Sequence, residues 1–143
     1  MEKLLKGTLL IGAAFFLLVT VVHQLGFKIP GFYVYYDISS TRYQDKIISV
    51  LAFGWATYLF VAFLGPQKNS ILVWAILLAG AVAILGLVWI NLSFIYSESM
   101  PAEEVTVYWV DTIGLGFYWL CLLRAFRSAT RAWNGVSLEG MPS

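Results

Sequence analysis

The 143-residue chain holds one histidine, one cysteine and few charges, and each scarcity closes off a class of chemistry. A lone Cys121 excludes an intrachain disulfide and any cysteine-built metal cluster. With His23 as the sole histidine, the usual tetrahedral zinc sets are excluded from this chain alone. Haem held by two histidines would need a second one from another chain. No cofactor and no metal are expected. Charged residues make up 12% of the chain, about half the ~25% of a soluble domain. The net charge of +1, with basic residues not interleaved with a soluble binding face, gives no reason to expect nucleic acid as a partner.

Catalytic constellations are equally scarce. Glu103 and Glu104 are sequence neighbours, so on a helix they point in different directions. Ser39, Ser40, Ser97 and Ser99 have no partner pattern that would activate a nucleophile. Gly114-Leu115-Gly116 is a lone G-x-G inside an apolar run rather than a phosphate-binding loop. An enzyme is therefore not expected. The route left open is a membrane enzyme using Asp111 or loop residues on a substrate drawn from lipid.

What the chain has in abundance is apolar surface: 60% of residues are hydrophobic and 17% aromatic. They gather into four blocks, each near the roughly 20 residues that cross about 30 Å of hydrocarbon. The expected fold class is an all-α integral membrane protein, an antiparallel four-helix transmembrane bundle. Crossings are expected at about 4–26, 47–65, 71–94 and 101–131, in one domain over 1–135 with a short tail at 136–143. The first block starts like a signal peptide, but His23-Gln24-Leu25-Gly26-Phe27 lacks a small-x-small cleavage pattern, so a retained helix is expected.

Small residues mark the expected packing seams: Gly12-Ala13-Ala14, the pair Ala52 and Ala56, and Ala75, Ala79 and Ala83 at four-residue spacing. The short turn at Pro66–Ser70 predicts that crossings two and three form a hairpin. Pro101 and Glu103 suit a helix start, and Asn134-Gly135 is expected to end the last helix. The first loop carries Tyr33, Tyr35 and Tyr36, expected in an interfacial aromatic belt or against a partner. Lys and Arg number six on the side of the N-terminus, second loop and C-terminus, against three in the first loop. The positive-inside rule then places both termini in the cytoplasm, and a bacterial inner (plasma) membrane is the expected location.

One acid stands inside an apolar run: Asp111, roughly 9 Å past the start of that run at 1.5 Å per residue. A carboxylate near the bilayer centre costs roughly 2.5–3.5 kcal/mol on insertion scales, and less toward an interface. Glu104, Tyr108, Asp111 and Tyr118 share one helical face. With the expected topology, His23, Asn91 and Asp111 fall in the same half of the membrane. Two readings follow. Asp111, His23, Asn91 and Tyr108 form a pocket for a ligand, ion or proton; or Asp111 is held by Asn91, a tyrosine hydroxyl, His23, Arg42 or Lys46 as interhelical glue. Arg124, Arg127 and Arg131 lie on one helical face, expected against anionic headgroups or an acidic partner. Cys121 is expected to be core packing.

The expected function is a non-catalytic accessory or assembly subunit of a larger membrane complex, with lipids and other membrane subunits as partners. The alternative is a small transporter or ligand-binding protein working as a homo-oligomer, with Asp111 as its proton, cation or ligand site.

Overall fold

The computed structural model describes residues 2–27, 29, 42–95 and 102–139, and their side chains except at 94, 95, 102–108 and 135–139. All regular structure among them is helical: α1 (Glu2–Leu25), α2 (Arg42–Leu64), α3 (Ser70–Ile95) and α4 (Ala102–Glu139). Among the described residues, three helices are long and apolar enough to cross a membrane: α1, α2 and the Ser70–Ser93 stretch of α3. At 24, 23 and 26 residues they exceed the roughly 20 that a crossing needs. The chain divides into two compact units, Met1–Val73 and Trp74–Ser143.

In the first unit, α1 and α2 pack along their length in opposite directions. Phe16, midway along α1, stacks on Trp55, midway along α2, with ring centroids 5.9 Å apart. The buried face of α1 carries Leu5, Leu9, Ala13, Val19, Val22 and His23. That of α2 reads Asp45, Ser49, Ala52, Ala56, Leu59 and Ala62, steps of three and four that keep one side inward. The expected Ala52–Ala56 seam is buried here. Gly26 ends α1 with φ of 73°, the left-handed conformation that favours glycine, and Phe27 N–H donates to the Val22 carbonyl at 3.0 Å. This six-to-one bond is the Schellman stop. At the other end, Glu2 and Lys6 form an exposed ion pair at 3.1 Å. The α2–α3 connection is drawn tight by Asn69. Its backbone N–H donates to the Gly65 carbonyl and its side-chain amide to the Val61 carbonyl.

In the second unit, α3 and α4 meet through a different set of α3 residues than the alanine spacing suggests. The indole N–H of Trp119 donates to the Leu77 carbonyl at 2.7 Å. A Cβ built on Gly80 would lie 3.0 Å from that indole ring, so the absence of a side chain at Gly80 is what admits it. Near the same ends of the two helices, Trp74 and Phe126 meet edge to face at 5.4 Å. Ala75, Ala79 and Ala83, expected in the seam, are instead exposed. The reason is angular: Leu77, Gly80 and Asn91 share one stripe of α3, while the alanines share another.

Two further expectations are corrected. Helix α4 does not stop at Asn134-Gly135 but runs on to Glu139. A glycine inside a helix costs about 1 kcal/mol relative to alanine, which does not by itself end a helix of 38 residues. Cys121 is exposed rather than packed in a core, because it follows Leu120 onto the outer side of α4.

The Gly80–Trp119 contact makes a direct prediction. Gly80→Leu should lower stability by about 1–3 kcal/mol through overpacking against the indole. Trp119→Phe should lose about 0.5–1.5 kcal/mol with its hydrogen bond. Both are measured by denaturant titration in detergent micelles; wild-type stability of Gly80→Leu would refute the contact.

Candidate functional site

Among the described residues, buried polar side chains gather in one cluster within each unit. The first lies where the C-terminal end of α1 meets the first turns of α2. His23 is 1% exposed and Asp45 8%, and Nδ1 of His23 stands 3.5 Å from a carboxylate oxygen of Asp45. That is ion-pair distance, longer than an ordinary hydrogen bond. Ser49, one turn beyond Asp45, donates to the side-chain oxygen of Gln24 at 2.9 Å and to the Lys46 carbonyl at 3.0 Å. Lys46 Nζ donates to the backbone carbonyl of Gln24. The last carbonyls of a helix have no partner within it, so this ammonium completes the end of α1. The α2 dipole adds to the arrangement: Asp45, in the first turn of that helix, sits at the pole that favours an acid.

The second cluster lies between α3 and α4. Asn91, 6% exposed, donates its side-chain amide to the hydroxyl of Thr112, 4% exposed, at 2.9 Å. Asp111 is the next residue along the chain. It is half-buried, on the side of α4 that leads to half-buried Tyr118 and buried Leu122. Among the described residues Asp111 makes no hydrogen bond and no ion pair.

The four expected pocket residues are thus distributed as follows. His23 faces Asp45, and Asn91 faces Thr112. Asp111 stands beside that second pair without joining it. Tyr108 lies on α4, and its side chain is outside the described residues, as are Tyr33, Tyr35 and Tyr36 altogether. Arg124, Arg127 and Arg131 are all exposed. Among the described residues no group of three or more His, Cys, Asp or Glu side chains is placed to hold a metal ion.

Sequence reasoning missed Asp45, Thr112 and Trp119 as the working partners. Asp45 carries a readable signal in hindsight: it lies four residues before Ser49 and seven before Ala52, on the small-residue side of α2. Thr112 carries none, since a threonine in an apolar helix ordinarily bonds its own backbone, as Thr57 does with the Phe53 carbonyl.

A double-mutant cycle of Asn91→Ala and Thr112→Val should give a coupling near 0.6 kcal/mol and below about 1.7 kcal/mol, the range measured for interhelical polar pairs in lipid. Zero coupling would refute a direct bond.

No protein-family model, curated protein or solved structure matches this chain, so the chemistry of these clusters rests on the residues themselves.

Proposed function

We propose that this chain is a four-crossing integral membrane protein that works as a non-catalytic accessory or assembly subunit of a larger membrane complex. In this reading α4 supplies the fourth crossing of an antiparallel bundle, both termini lie in the cytoplasm, and the membrane is a bacterial inner membrane.

The observation that carries the proposal is the outer surface of α3. Ala75, Ala79, Ala83 and Gly86 form a stripe of small residues, and all four are exposed. Beside it run Leu78, Val82, Leu85 and Trp89, exposed by 63–73%. Small residues at four-residue spacing let helix backbones approach closely, and in lipid that close packing is the main source of helix association. On α2 the equivalent pair, Ala52 and Ala56, is buried within the chain. On α3 the equivalent stripe is open, which suits a helix from another chain.

A second reading keeps Asp111 in view. A carboxylate on an apolar helix with no partner among the described residues is costly, and such residues ordinarily mark a proton or ion path. In that reading the chain is a small homo-oligomeric transporter or binding protein.

Native mass of the gently extracted protein, with mass spectrometry of what co-purifies, separates the two. A defined assembly with foreign subunits is expected, and Ala79→Phe should abolish it while leaving helix content unchanged. A lone monomer in native membranes would refute the accessory role. For the second reading, Asp111→Asn should abolish proton- or cation-coupled uptake in vesicles while assembly stays intact; unchanged uptake would dismiss it.

A further inference from the structure

One face of α4 changes character abruptly along its length. Val110, Ile113, Phe117 and Leu120 follow one another at steps of three and four and are 58–70% exposed. The same stripe continues without a break in phase through Arg124, Arg127 and Arg131, all exposed. The opposite side of that segment is closed, with Leu122, Ala125, Phe126 and Ala129 at 0–1% exposure. A single outward stripe is thus apolar up to Leu120 and cationic from Arg124.

We propose that this stripe is a binding face for anionic phospholipid, with its acyl chains along Val110–Leu120 and its phosphate held by the three arginines. The proposal rests on α4 being a membrane crossing and does not depend on which partner the chain joins.

Three physical points favour lipid as the occupant. The three guanidinium groups make no ion pair among the described residues, and no acid stands three or four positions from any of them. Among the described residues their charge is uncompensated, which suits an anion. The guanidinium fork matches phosphate oxygens in pairs and is less strongly hydrated than an ammonium. The third point is direction. Side chains of a helix lean toward its N-terminus, so at the C-terminal end of a crossing Arg127 and Arg131 lean back toward the bilayer. From Arg124 to Arg131 the helix rises seven steps, about 10 Å at 1.5 Å per residue, against an interfacial layer roughly 5–8 Å deep on each side. The lean carries all three guanidinium groups toward the bilayer, and the length of the arginine side chain takes up the axial spread between them. A water-soluble acidic partner would meet the charges but has no use for the apolar stripe that continues them, whereas a phospholipid matches both parts with one molecule.

The test uses the full chain in vesicles of phosphatidylcholine that hold no other protein, with spin-labelled phosphatidylglycerol or spin-labelled phosphatidylcholine as the probe. The expected result is a larger motionally restricted fraction for the anionic probe. Each Arg→Gln change should reduce that preference about fivefold at low salt, the equivalent of about 1 kcal/mol per basic residue. Salt should reduce it in the wild-type chain too, which keeps the test open if the triple variant R124Q/R127Q/R131Q does not fold. Equal restriction of both probes by the wild-type chain would overturn the proposal and leave an acidic protein as the occupant. A nitroxide on the native Cys121 locates the stripe independently. Oxygen-accessible and shielded from a water-soluble relaxant, it supports the crossing. Open to the aqueous relaxant, it overturns the crossing and the lipid face together.

Discussion

Every backbone amide inside hydrocarbon needs a partner, and there is no water to supply one. The rest of this chain follows from that constraint. It makes the long segments helical, because a helix satisfies its own interior. It leaves the helix ends and the side-chain polar groups as the places where partners have to be found. In the first unit Lys46 reaches the Gln24 carbonyl at the end of α1, and Gly26 turns the chain so that Phe27 can reach Val22. In the second, Asn91 and Thr112 satisfy each other, and the indole of Trp119 finds the Leu77 carbonyl. The polar residues of the apolar helices are few, and those that are buried and described are engaged.

The apolar helices were legible because length and composition alone determine whether a segment can cross a bilayer, and α1, α2 and α3 each exceed that length. Their partners were harder to read. Leucine, valine and isoleucine surround α3 so evenly that periodicity does not single out an inner side. The alanines were then the only visible marker, and they marked an exposed side. Gly80 decides the contact instead, and a single glycine in an alanine- and glycine-rich helix does not announce itself. Asp111 was legible as an anomaly, since an acid in an apolar run needs no alignment to notice. Its neighbours were not, because which side chain meets which depends on helix rotation, and a rotation of one residue changes the facing side by about 100°.

The contrast between α2 and α3 bears on what kind of protein this is. Both carry small residues at four-residue spacing. In α2 the spacing is spent on burial within the chain, whereas in α3 it lies open beside a ridge of large apolar side chains. A membrane helix has no hydrophobic reason to prefer protein over lipid, so an open seam of this kind is a geometric invitation rather than an exposed core.

Two hydrogen bonds between α4 and α3 involve Thr112 and Trp119, seven residues and about two turns apart. Two anchors on one stripe act like a key in a slot. A one-residue screw of α4 would swing both away from their partners at once, and a straight slide of 1.5 Å would strain both together. Sliding or turning α4 against α3 therefore means giving up both bonds at the same moment, so the pair resists such a motion more than either bond would alone.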